Sequence, residues 1–216
     1  MLSVLFGLIA VAEAVLLGLV ITLRRRWPDR SLILLIPVLL ALIGDNAVIA
    51  AGSTIGTGDT LLALSYPRYI AHGLFVPLLI MVGAGLCRAH GIRLPLAASG
   101  ILTAALIAVG IRQDIINLNL QPTPYADTLR YTNTATHGAP IPAVVTIVVL
   151  IALGAVLLAR TRSPWLLAGS SAMFAAAALS VFAFWLGNVG ELLLLLGLYL
   201  TATRRPAPMI APVTAA

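Results

Sequence analysis

The chain is expected to be an all-α polytopic membrane protein, a bundle of seven transmembrane helices in a single domain. Three observations carry that reading. The composition is 61% hydrophobic and 9% charged over 216 residues, seven apolar runs have helical length, and arginines return at every second gap between them. A chain with so little polar surface does not cover a water-soluble globule, so it is expected to dissolve in lipid.

The first run, 2–23, has no positive residue ahead of it. Ala12-Glu13-Ala14 looks superficially like a small-residue cleavage site, but the run reads as a retained helix. The second run is 31–51. The third, 61–87, is long enough to tilt or kink, and Pro67 and Pro77 remove backbone donors inside it. The fourth run is 94–111 and the fifth 141–159. The sixth, 164–184, and seventh, 189–203, are separated by a tight turn at Gly187-Asn188. Between the fourth and fifth lies a polar segment, 113–140, with Pro122, Pro124, Tyr125, Asp127, Arg130, Tyr131 and His137. It is longer than a simple connection requires and is expected to lie over the outer mouth of the bundle. The membrane domain is assigned to 1–205, and 206–216, rich in proline and alanine, to a disordered cytoplasmic tail. No internal repeat is visible, which counts against an inverted-repeat transporter.

Arginine placement tests the count. Arg24, Arg25, Arg26 and Arg30 follow the first run, Arg88 and Arg93 the third, Arg160 and Arg162 the fifth, and Arg204 and Arg205 the seventh. Six or eight helices would break this alternation. The arginine-rich side is therefore read as cytoplasmic, which places the amino terminus outside, the carboxyl terminus inside, and the chain in a bacterial-type plasma membrane. The net charge of +6 comes from arginine alone, because the chain has no lysine. Its clustering between apolar runs sets orientation and does not make a nucleic-acid footprint. The single cysteine, Cys87, excludes an internal disulfide and reads as a small buried hydrophobe.

An ionisable side chain inside a span costs at least a few kcal/mol unless it faces the bundle interior or water. Four runs carry such residues: Glu13, Asp45 beside Asn46, Arg68 and His72, and Asn188 and Glu191. A rise of about 1.5 Å per residue puts Glu191 about 5 Å from the outer edge, Asp45 and Arg68 about 10 Å, and Glu13 and His72 about 16 Å. Arg68 and His72, four apart, share one helix face, as do Asn188 and Glu191, three apart. Faced inward, these residues would line a funnel open to the outer side. The cytoplasmic half of the spans has no comparable polar path, which argues against a pump or channel. Simpler roles stand beside this one. Asp45 and Arg68 can form a structural ion pair, Glu191 can sit at a helix amino terminus, and Glu13 has only His72 as a cation at its depth.

Missing residues remove several membrane chemistries. Without lysine there is no retinal Schiff base, one intramembrane histidine does not make a zinc site, and one cysteine does not run thiol oxidation. No span pairs serine with histidine as an intramembrane protease requires. What remains is acid catalysis without metal or cofactor on a lipid-soluble substrate. A carboxylic acid in a dry site protonates an alkene or epoxide. Asp45 is assigned as that acid, Asn46 and Arg68 as its tuning partners, and Glu191 as the second acidic group or final base. Tyr66, Tyr69, Phe75, Phe182, Phe184 and Trp185 are the aromatic candidates for steering a cation. Size, helix count and the two acids, in Gly44-Asp45-Asn46 and Gly187-Asn188-Val189-Gly190-Glu191, resemble the small seven-helix membrane terpene cyclases of fungal meroterpenoid pathways and their bacterial counterparts that cyclise farnesylated indoles. That resemblance implies proton-initiated cyclisation of a prenylated substrate. The alternative is a lipid or small-molecule binding or sensor protein, or a transport-related one, with an outward polar pocket. A third reading confines the polar residues to helix packing.

Overall fold

A computed structural model of the chain describes residues 1–27, 31–135 and 140–204. Asp29, Arg30, His137, Arg205 and the tail assigned to 206–216 lie outside the described residues. Every apolar run is helical. The helices are α1 (Leu2–Arg26), α2 (Ser31–Ile55), α3 (Asp59–Phe75), α4 (Leu78–Ala89), α5 (Leu96–Gly110), α6 (Ile141–Thr161), α7 (Trp165–Leu179) and α8 (Trp185–Thr203). Five spans are long and apolar enough to cross a bilayer, and the bent pair α3 and α4 makes a sixth when counted as one. Helix α7, with 15 residues, is shorter.

The side chains are distributed as a lipid-dissolved bundle requires. On α1, Val4, Leu8, Val11, Val15 and Leu19 are exposed, while Phe6, Ile9, Glu13, Leu16 and Val20 are buried. An exposed apolar stripe at helical spacing is a poor surface for water and a suitable one for acyl chains. Leucines and valines of α2, α4, α6 and α8 interlock into the core beneath the polar residues. Helices α7 and α8 approach until a Cβ on Gly197 would stand 2.6 Å from the Trp165 carbonyl oxygen and 3.1 Å from the Cα of Gly169. Only glycine permits that contact between spans.

The third run kinks, as its length and prolines allow, by 44° between α3 and α4, and three other boundaries differ from those expected. Pro77 has no N–H to continue the ladder, and the Leu79 and Ile80 amides turn back to the Val76 and Pro77 carbonyls at 3.1 Å each. The sixth run stops at Leu179, where the Ser180 hydroxyl donates to the Ala177 carbonyl at 2.6 Å. Helix α8 starts at Trp185, so Gly187-Asn188 lies within its first turn and is not the connection. Finally, the polar segment carries regular structure as far as Asn133, so the described residues are not wholly helical. A π-helical turn, Ile111–Ile116, prolongs α5, and strands β1 (Leu120–Tyr125) and β2 (Thr128–Asn133) pair antiparallel in register from Leu120 opposite Asn133 to Tyr125 opposite Thr128.

Candidate functional site

The hairpin is fastened over one end of the bundle. Its turn residue Asp127 caps α1, accepting from the Leu2 amide at 2.8 Å, from the Ser3 hydroxyl at 2.7 Å and from the amino group of Met1. The Met1 amino group first, and then the Ser3 hydroxyl and the backbone amides, hold this carboxyl well below the usual carboxylate range. The Ser53 hydroxyl of α2 donates to the Asp127 carbonyl at 2.7 Å. Tyr69 of α3 donates to the Tyr131 carbonyl and accepts from the Asn133 amide, both at 3.0 Å. Gly52 is needed because any Cβ there would collide with the Leu129 carbonyl.

Phe184 joins the hairpin to the helices. Its ring stacks on Phe6 at 5.5 Å, receives the edge of Tyr125 at 5.0 Å, and lies 3.6 Å from the Arg130 guanidinium carbon. Burial, with the like charge of Arg68, pushes the Arg130 guanidinium down to about 10. The funnel expected to be open is thus roofed by β2.

Beneath this roof the polar residues of four helices meet. Asn46 Nδ2 donates to Glu13 Oε2 at 2.9 Å, and Asn188 Nδ2 donates to Asn46 Oδ1 at 3.0 Å and to Asp45 Oδ2 at 3.5 Å. Arg68 Nε lies 3.2 Å from Asp45 Oδ1. Glu13, Asn46, Asp45 and Asn188 are all buried. They form one chain of contacts, Glu13 to Asn46 to Asn188 to Asp45 to Arg68, across α1, α2, α8 and α3. Glu13 therefore pairs with Asn46 and not with His72, and its Oε1 has no partner. His72 instead faces Glu191, with Nε2 3.6 Å from Oε1, and both side chains are partly accessible at 32% and 18%.

Two small cavities meet at His72. One, about 20 Å³, is lined by Asp45, Arg68, His72 and Phe75 together with Val38 and Leu42. The other, about 40 Å³, is lined by His72, Glu191 and Thr146 among the apolar side chains of Ile147, Met173 and Leu195. A water occupies on the order of 10–15 Å³ by this measure, so the paired cavities hold a small group. A larger ligand has to part the helices. Phe75 lies on the wall of the first cavity. Tyr66 and Phe182 do not join the cluster, because they are 43% and 81% exposed. Tyr69 works on the hairpin, and Trp185 opens α8 at intermediate burial.

Sequence reasoning missed Arg130 as part of the site, and also Asp114, whose Cβ would lie 3.3 Å from a Cβ built on Gly73, next to His72. Little in the sequence marked Asp114, because it follows Arg112 and Gln113 in a polar stretch at the end of the fourth apolar run. No protein-family model, curated protein or solved structure matches this chain.

Proposed function

We propose that this is a membrane enzyme that performs acid–base chemistry on a lipid-soluble substrate at His72 and Glu191, most concretely the proton-initiated cyclisation of a prenylated molecule. The observation that carries the reading is the division of labour among the polar residues. Asn46 links Glu13 and Asn188 by hydrogen bonds inside the bundle, whereas His72, Glu191, Asp45 and Arg68 line the cavities. A group held for packing alone does not need a cavity in front of it.

The proton is assigned to the His72–Glu191 pair. Asp45 is already committed to its neighbours, with Oδ2 accepting from Asn188 and Oδ1 3.2 Å from Arg68 Nε, which suits an anion that steadies positive charge better than a donor. Proton transfer from the pair to an alkene carbon or epoxide oxygen leaves a carbocation. A second double bond attacks it and closes the ring, and Asp45 or the deprotonated Glu191 takes the proton released at the end. Atoms are conserved and no oxidant is consumed. Phe75 offers an aromatic face beside the cation.

The arrangement in the bilayer belongs to the same proposal. With α3 and α4 counted as one span and α7 as a short one, the chain crosses seven times, amino terminus outside and carboxyl terminus in the cytoplasm of a bacterial-type cell. The arginine ends of α1, α4, α6 and α8 support this orientation.

Purified protein incubated with farnesylated indoles and their epoxides should yield an isomeric cyclic product with no added metal, and His72→Ala should abolish it. Product formation unchanged by that substitution would remove the assignment. A second reading, ligand binding without chemistry, rests on the same cavities, which hold a small group beside His72 and Glu191. It predicts ligand-dependent thermal stabilisation with the ligand recovered unaltered.

A further inference from the structure

At the end of the bundle opposite the hairpin, the turn after α4 and the last turn of α6 enclose an open groove of about 670 Å³. Its rim carries Arg93, Arg160 and Thr161, and its walls include Ile92, Val156 and His90. Among the described residues neither arginine has an acidic partner within ion-pair distance. His90 is buried, its Nδ1 lies 2.9 Å from the Leu86 carbonyl, and its Nε2 has no partner. Gly91, at φ +79, makes the turn that brings Arg93 back beside α6.

Arginines at the ends of spans ordinarily set orientation and offset the helix dipole. These two do more, because they converge from the α4–α5 turn and the end of α6 on one groove, and among the described residues they are unpaired there. Two guanidinium groups present fixed donors to a tetrahedral oxyanion, while Ile92 and Val156 supply an apolar wall of the kind an acyl chain covers. We infer that this groove binds the phosphate of an anionic phospholipid in the adjoining leaflet, between the α4–α5 turn and the end of α6. Basic pockets between spans hold such headgroups by the same electrostatics.

The test uses full-length protein in a neutral detergent, titrated separately with dioleoyl phosphatidylglycerol, dioleoyl phosphatidylcholine and inorganic phosphate. Binding is read by native mass spectrometry and by melting temperature. Phosphatidylglycerol should bind more tightly than phosphatidylcholine, by about 30-fold for two arginine contacts. That preference should vanish in Arg93→Gln/Arg160→Gln and persist in Arg24→Gln/Arg25→Gln, whose arginines end α1 outside the groove. The variant Arg93→Lys/Arg160→Lys keeps the charge and controls for folding, and it should retain most of the preference. Equal binding of the two lipids, or a preference that survives Arg93→Gln/Arg160→Gln, would overturn the site. Inorganic phosphate reproducing the stabilisation through the same two arginines would overturn the lipid as its source.

Discussion

His72 of α3 and Glu191 of α8 face each other with 3.6 Å between Nε2 and Oε1, at the point where the two cavities of the bundle meet. They come from helices far apart in sequence. The fully buried Glu13–Asn46–Asn188 contacts lie behind them and fix how α1, α2 and α8 pack. The polar layer is thus two structures, a supporting chain and a pair that faces open space.

If the pair handles the proton, removing either member lowers turnover about 100-fold or more with little change in folding. His72→Ala and Glu191→Gln are to be compared with the parent protein by product formation and by melting temperature in the same detergent.

Asp45 and Arg68 answer differently. Asp45→Asn leaves the Arg68 guanidinium without its anion and should cost about 3–5 kcal/mol. Asp45→Leu/Arg68→Leu removes both charges and should recover most of that loss. Denaturant unfolding of the single and double variants reads the difference, and equal destabilisation would mean that the 3.2 Å contact carries no coupling.

Asn188 donates to both Asn46 and Asp45, so Asn188→Ala strands buried acceptors and should destabilise the protein by about 1–3 kcal/mol. The same variant should keep measurable activity once folded, because His72 and Glu191 remain in place. Reversible unfolding followed by an assay on the refolded fraction checks both halves.

The hairpin supplies a pH test. Asp127 is held below the usual carboxylate range, so its contribution is fully present above the ordinary carboxylate value and is lost as pH falls through its own lower value. The difference in melting temperature between the parent and Asp127→Asn should therefore stay flat from neutral pH down to about 5 and shrink only below about 4. A difference that declines already between pH 8 and 6 would assign the anchoring to another group.

Much of this was legible in the sequence, and the reasons for the rest are physical. The apolar runs, and the four runs carrying misplaced polar residues, are visible because lipid tolerates neither long polar stretches nor isolated charges. The hairpin was hidden because β1 holds Pro122 and Pro124, which deny it the look of a strand. They are tolerated because β1 pairs on one side only, with Tyr131 and Leu129 opposite the two prolines. Its turn places Ala126 at φ 49 without the glycine or asparagine that usually announces one. Gly187-Asn188 read as a turn by composition, yet the contacts of Asn188 with α2 keep it in the helix, where a tertiary partner overrides local preference. Which acid faces which base is set by how the helices are rotated about their axes, and matched depth alone did not reveal Asn46 as the partner of Glu13.

Whether a working pair is separate from its supporting chain is decided by one paired measurement on Glu191→Gln and Asn46→Ala in lipid nanodiscs. Turnover of a farnesylated substrate and melting temperature are recorded for each. Glu191→Gln should lose turnover at nearly parental melting temperature, while Asn46→Ala should melt several degrees lower, by roughly 2–4 °C per kcal/mol lost, and still turn substrate over. Loss of both properties together in both variants, or turnover retained in Glu191→Gln, would overturn the separation.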